Sequence, residues 1–168
     1  MTTPETGEPR LRTPAHRVSP RAKLWWALRS ALGTVVALVP QAGVAWFLPD
    51  HARLMAVTAV VTVVLGVAHL LVVPRVRFAL HRWEITDDAV HTLSGWVRLE
   101  WRIAPISRVQ TVDTDRGPLQ RLLGLSSVTV TTASSSGALT IDGLRADDAV
   151  ALADRLTRAT EHLGGDAT

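Results

Sequence analysis

Two long apolar runs, separated by a short polar turn, dominate the first half of this 168-residue chain. The run from Ser30 to Leu48 contains no charged residue, and neither does the run from Leu54 to Val73. An α-helix rises about 1.5 Å per residue, so each run can cross the roughly 30 Å hydrocarbon core of a bilayer. The pattern therefore predicts two transmembrane helices that form a hairpin.

We place this transmembrane hairpin at residues 24–74, with helices at about 24–48 and 52–73. Six basic side chains precede the first helix's apolar run, whereas the turn between the helices carries only Arg53 beside Asp50. Basic flanks favour the cytoplasmic side of a membrane. We therefore predict a two-span protein of the cell membrane whose N- and C-termini are both cytoplasmic.

The segments outside the hairpin differ in composition. Residues 1–23 are basic and rich in proline and threonine with no apolar period, which predicts a disordered cytoplasmic tail. Residues 165–168 form a second predicted disordered tail, and residues 75–164 form one folded domain. Tryptophans favour membrane interfaces, so we expect Trp25, Trp26 and Trp46 to mark the two ends of the first span. The alternative is that they pack against the second helix.

Four residues of the hairpin suggest contacts between its helices. Gly33 and Gly66 lie at nearly equal depth when counted from the turn, and small residues allow membrane helices to approach closely. Gln41 needs a hydrogen-bond partner in hydrocarbon, and the hydroxyl of Thr58 lies at a similar depth. We interpret these residues as helix contacts. The alternative, a substrate path through the membrane, would need more polar groups.

From residue 75 onward the hydrophobic pattern acquires the period of two that is typical of strands. Leu119 to Leu123 reads as a helical turn ended by Gly124. A stripe with helical spacing predicts a C-terminal amphipathic helix, formed by Ala149, Leu152, Leu156, Ala159 and Leu163. The expected strands are 76–86, 89–93, 96–103, 107–114, 128–132 and 138–141. This order predicts an α+β membrane protein with an antiparallel β-barrel or sandwich capped by the last helix.

One predicted hairpin of the domain offers a candidate interaction surface. Ser94-Gly95 fits a two-residue turn, which would place Leu93 opposite Trp96 on the outer face. The same register would turn an alternating apolar set toward the core, namely Val97, Leu99, Trp101 and Ile103. An exposed leucine–tryptophan pair at a hairpin tip is typical of a contact site. The alternative is that a loop of the same domain covers the pair.

The chain offers little for catalysis or for binding metals and cofactors. It has no cysteine, and Asp87, His91 and Ser94 are too far apart along an extended strand to act as a triad. No third ligand accompanies His81 and His91 for a metal. Residues 75–168 carry 11 basic and 12 acidic side chains, which disfavours a nucleic-acid partner. We predict no enzymatic activity, no metal and no cofactor.

The domain resembles the YdbS-like bacterial pleckstrin-homology (PH-like) family. The resemblance is carried by residues 81–133 and 139–144, and most specifically by Pro105-Ile-Ser-Arg-Val-Gln110 and Gly117-Pro-Leu-Gln-Arg-Leu-Leu-Gly124. Two transmembrane helices ahead of the domain match the layout of that family. The resemblance implies a PH-like fold on the cytoplasmic face of a bacterial membrane. It also implies a membrane complex, since such proteins often accompany longer relatives with several PH-like domains.

Three functions remain open at this point. We favour a non-enzymatic, membrane-anchored interaction module whose partners are the lipid bilayer and another membrane protein, such as a multi-PH-domain relative. The second is a lipid or ligand sensor on the inner leaflet. The third is an accessory subunit of an export or toxin-resistance system. The sequence does not indicate an oligomeric state.

Overall fold

A computed structural model describes residues 13–133 and 137–165, with side chains as far as residue 160. Helix α1 (Ala22–Phe47) and helix α2 (Ala52–Leu80) are joined by a short 3₁₀ turn, Pro49–His51. Both helices are long and apolar enough to cross a membrane, and most of their apolar side chains are exposed. The predicted helical hairpin is thus present.

The second helix is longer than the sequence pattern predicted. The expected strand 76–86 is wrong in its first half, because the helix continues to Leu80 and its last bond joins the amide of His81 to the carbonyl of Arg77. The sequence predicted a strand there because apolar residues alternate with other residues from Val76 to Leu80. The helical conformation instead brings Phe78 onto the core of the following domain.

Seven strands of the described residues form two antiparallel sheets. The first sheet has the order β1-β2-β3-β4, and the second has the order β5-β6-β7. The strands are β1 His16–Arg17, β2 Arg82–Ile85, β3 Ala89–Gly95, β4 Leu99–Pro105, β5 Val109–Asp115, β6 Leu125–Thr132 and β7 Leu139–Arg145. No closed barrel forms within the described ranges, so the sandwich alternative describes this domain.

Two helices complete the domain. Helix α3 (Pro118–Leu123) ends at Gly124, whose φ of 66° is the left-handed conformation common after a helix. Helix α4 (Ala146–Gly165) packs against β5, β6 and β7. The predicted stripe is buried at Ala149, Leu152 and Leu156. The side chain of Leu163 lies outside the described residues.

The start of α1 belongs to the core of the domain, so the predicted interfacial positions of Trp25 and Trp26 are wrong. Trp25 and Trp26 are buried with Val18 and Ala22 among the sheet residues and are not interfacial side chains. Trp46 is 81% exposed at the opposite end of α1. The large apolar area of an indole suits either environment, and here the folded domain is close enough to enclose both rings.

The predicted disordered tail is wrong for residues 13–23. His16 and Arg17 pair with Trp83 and Arg82 as an added strand, and the amide of Ser19 donates to the carbonyl of Gly143. Backbone pairing therefore orders this segment despite its polar composition. Residues 1–12 and 166–168 of the predicted tails lie outside the described residues.

The predicted register of the β3–β4 hairpin is also wrong. Gly95 pairs with Leu99 and Leu93 pairs with Trp101, so the turn consists of residues 96–98 and Leu93 does not face Trp96. Gly95 has a φ of 121°, and a Cβ there would lie 1.9 Å from the carbonyl oxygen of Arg98. This tight approach, available to glycine alone, selects the longer turn.

Candidate interface at the membrane junction

The two helices of the hairpin are linked by a side-chain hydrogen bond within the apolar region. The Nε2 amide of Gln41 donates to the hydroxyl of Thr62 at 2.9 Å and to the carbonyl of Ala37 at 3.0 Å. Thr58 was the predicted partner, but its hydroxyl donates to the carbonyl of Met55 within its own helix. The contact therefore forms one helical turn further along α2 than predicted.

The two helices approach closely at Gly66, although Gly33 is not its neighbour. A Cβ at Gly66 would lie 2.4 Å from the Oγ1 of Thr34. A Cβ at Gly33 would meet no atom within 4 Å. The predicted glycine–glycine contact is thus a glycine–threonine contact, and Gly33 borders open space.

A second link between the helices lies at the end of the hairpin nearest the domain. The Nδ1 of His69 and the Oγ of Ser30 are 3.0 Å apart. The Ser30 hydroxyl donates to the carbonyl of Trp26, so it accepts a hydrogen bond from His69. The indole of Trp96 lies edge-on to the imidazole of His69, with ring centroids 6.0 Å apart. The tip of the β3–β4 hairpin therefore rests against the transmembrane helices.

An open groove of about 750 Å³ runs between the helices from this point. Its membrane end is lined by small and apolar residues, including Gly33, Ala37 and Leu65, and by Thr34 and Thr62, whose hydroxyls donate to carbonyls of their own helices. Its domain end is lined by Arg29, Arg77 and Trp96. Sequence analysis did not select Arg29 or Arg77, because a single arginine beside a span is also an ordinary flanking charge.

A chain of polar contacts fixes the domain to the end of α2. Arg77 lies 3.9 Å from Asp142 on β7 and packs over the indole of Trp26 at 4.8 Å. Asp142 accepts a hydrogen bond from Ser127 at 2.9 Å, and Ser127 accepts one from Gln120 on α3 at 2.8 Å. These contacts join the second sheet and α3 to the end of α2, so the domain packs directly against the hairpin.

His81 lies beside this chain, immediately after α2. It is 4% exposed, its Nδ1 has no hydrogen-bond partner among the described residues, and its ring packs edge-on against Trp26. Burial lowers the pKa of His81, the charge of Asp142 opposes that change, and Arg77 adds to it. The imidazole is therefore biased toward its neutral form.

The outer face of β4 and the turn before it carry an apolar strip, which we call the β4 stripe. It consists of Val97 in the turn and of Leu99, the half-buried Trp101 and Ile103 on the strand. Val97 is 79% exposed, Leu99 50% and Ile103 55%. The opposite face of the strand carries Glu100 and Arg102, which line a polar cleft beside Asp142 of β7. The corrected register thus reverses the predicted orientation of the stripe, which faces outward, and Leu93 is buried on that same face, opposite Trp101.

Comparisons with known proteins agree with this architecture. The family model for the bacterial PH domain matches residues 31–160. The UPF0699 transmembrane protein YdbS of Bacillus subtilis (strain 168) is 26% identical over 148 residues, which cover 86% of this chain and 92% of that protein. No solved structure matches the chain. The match over most of the chain, together with two apolar helices and two packed sheets, shows that this protein belongs to the bacterial PH domain family.

Proposed function

We propose that this protein is a non-enzymatic interaction module on the cytoplasmic face of the cell membrane, and that the β4 stripe binds another membrane protein. The observation that carries the proposal is the exposure of an apolar strip on a strand at the edge of a sheet. Exposed apolar patches on soluble surfaces mark sites that a partner covers.

The position of β4 supports binding through the backbone as well as through side chains. Within the described residues β4 pairs only with β3, so the second edge of this seven-residue strand has no strand beside it. An unpaired edge can accept a strand from another chain, and alternating side chains then give specificity. Leu99, Trp101 and Ile103 supply such an alternating set.

The membrane anchor supports a partner that lies in the same membrane. Two helices restrict the domain to the bilayer surface, which raises its effective concentration toward other membrane proteins. The family resemblance suggests a relative with several PH-like domains as the first candidate to test. Such a partner could offer its own sheet edge to β4.

A site-specific photo-crosslinker at Ile103 tests this proposal in native membranes. We expect a defined protein adduct from Ile103, and none from Val150, an exposed valine on α4 that serves as the matched control. Ile103→Glu should abolish co-purification of the same partner while the melting temperature stays unchanged. Equal adducts from both positions, or adducts to lipid alone from Ile103, would refute the proposed interface.

Cytoplasmic termini are part of this proposal and need their own test. Fusions of a compartment-sensitive reporter at residue 51 and at the C-terminus should report opposite sides of the membrane, with the C-terminus inside. The excess of basic residues at the domain end of the hairpin supports this orientation. A C-terminus outside the cytoplasm would contradict it.

A further inference from the structure

We propose that the groove at the membrane junction binds one anionic phospholipid of the inner leaflet, with its phosphate at Arg29 and Arg77 and one acyl chain between the helices. This lipid site is separate from the β4 stripe. It rests on the proposed orientation, in which the domain end of the hairpin is cytoplasmic.

The depth of the lining residues matches the two parts of a lipid. His69 lies about 25 Å along α2 from Ala52, so His69 and Trp96 are at the inner edge of a hydrocarbon core of about 30 Å. Arg77 lies about 12 Å further along the same helix, at the level of the headgroups. Arg29 starts next to Ser30, at the level of His69, and its long side chain extends toward the domain, where it lines a pocket with Asp142. Gly33 and Leu65 lie on the hydrocarbon side, where an acyl chain would run.

The arginines at the headgroup end form no close ion pair within the described part of the protein. Arg29 has no acidic group within 4 Å there, and it lines the same groove as Arg77. Asp142 lies 3.9 Å from Arg77, and Asp115 and Asp142 line a neighbouring pocket together with Arg29. A phosphate between the two arginines would relieve their repulsion and accept charge-assisted hydrogen bonds.

The apolar end of the groove is shaped for a chain and not for a soluble anion. Gly33 leaves open space beside α1, and Gly66 lets the helices approach just behind it. Trp96 borders the groove at the level where indole rings favour the membrane interface. A free phosphate would leave this apolar portion unfilled, so the occupant we infer is the lipid itself.

Native mass spectrometry of the full chain, released from nanodiscs of mixed phosphatidylglycerol and phosphatidylcholine, tests the proposal. We expect one retained phosphatidylglycerol per protein in the wild type. Arg29→Gln should reduce that retention about tenfold or more, because it removes a charge-assisted hydrogen bond to the phosphate. Arg75→Gln is the matched control, because Arg75 is exposed on the same end of α2 but does not line the groove.

A second variant tests the acyl-chain end of the groove without altering the charge of the protein. Gly33→Leu should fold, since a Cβ there has no neighbouring atom within 4 Å and the rest of the side chain would extend into the open groove, where it should block the lipid and abolish its retention. Equal losses for Arg29→Gln and Arg75→Gln would show general attraction to the surface and overturn the proposal. Full retention in Gly33→Leu, or equal retention of phosphatidylcholine by the wild type, would also overturn it.

The Gly33 variant also separates this lipid site from the proposed partner interface. Gly33→Leu leaves the β4 stripe unaltered, so the crosslink from Ile103 should persist in it. If the wild type retained the lipid but gave no protein crosslink from Ile103, the partner proposal alone would fail.

Discussion

A Cβ atom at Gly143 would lie 2.6 Å from the Cβ of Ala22, so the start of α1 packs directly onto the backbone of β7. The amide of Ser19 donates to the carbonyl of the same glycine at 3.0 Å. This close approach is what seats the first transmembrane helix on the domain, and Gly143 can adopt its φ of 75° because it lacks a side chain.

Gly143→Ala should destabilise the protein by about 3 kcal/mol, from backbone strain together with the clash against Ala22. Urea unfolding of the full chain in detergent measures this. Gly137→Ala is the matched control, since Gly137 has the same φ of 75° but open space around it. It should cost about 1 kcal/mol. Equal effects of the two substitutions would show that the contact with Ala22 is unimportant.

Trp26→Ala should lower the free energy of unfolding by about 3–5 kcal/mol, because it empties a large volume in the core of the domain. Trp26 is 2% exposed and packs against both Arg77 and His81. Trp46→Ala, at the far and exposed end of the same helix, should have little effect on the same measurement. If the two tryptophans proved equivalent, the domain core would not include the start of α1.

Features with a local cause could be predicted from the sequence. The length of each apolar run is enough to predict a membrane helix, and the stripe of α4 follows from its spacing. Gly124 ends α3 as expected, since a glycine directly after a short apolar helix favours the left-handed conformation.

Features that depend on contacts between distant segments could not be predicted in this way. Trp25 and Trp26 suit an interface and a core equally well, and only the folded domain decides between them. Thr58 was predicted as the hydrogen-bond partner of Gln41 because the two lie at a similar depth in the membrane. The rotation of each helix about its axis instead brings Thr62 within hydrogen-bond distance. The observed register differs from the predicted one by five residues, and an odd shift exchanges the two faces of a strand, which is why the β4 stripe was placed inside.

Leu156→Asp should cost several kcal/mol, because Leu156 is fully buried under the second sheet and a carboxylate there would have no partner. A fall in the melting temperature of the full chain is the expected result. Val150→Asp places the same charge on an exposed position of α4 and should be tolerated. An unchanged melting temperature for Leu156→Asp would mean that α4 does not dock as described.

Stability should depend on pH through His81. Its pKa is lowered in the folded protein, so the unfolded chain binds a proton more readily as the pH falls through about 6.5. The contribution of His81 to the free energy of unfolding is thus fully present above pH 6.5. Below that pH it decreases by at most about 1.4 kcal/mol per pH unit, until the pKa of the folded protein is reached.

Melting temperatures of the wild type and of His81→Asn between pH 5 and pH 7.5 test this dependence. The advantage of the wild type should shrink as the pH falls, since the variant lacks the titrating imidazole. His51→Asn, at the exposed turn of the hairpin, should follow the wild type throughout. A constant difference between wild type and His81→Asn would rule out a linked protonation at this position.

The hydrogen bond between Gln41 and Thr62 should stabilise the hairpin by about 0.6 kcal/mol, the average found for such bonds between membrane helices. A double-mutant cycle with Gln41→Leu and Thr62→Val, measured by unfolding in mixed detergent micelles, isolates this coupling. The same cycle with Thr58→Val is the control, because Thr58 bonds within its own helix. Coupling to Thr58 in place of Thr62 would show that the helices pack one turn out of the observed register.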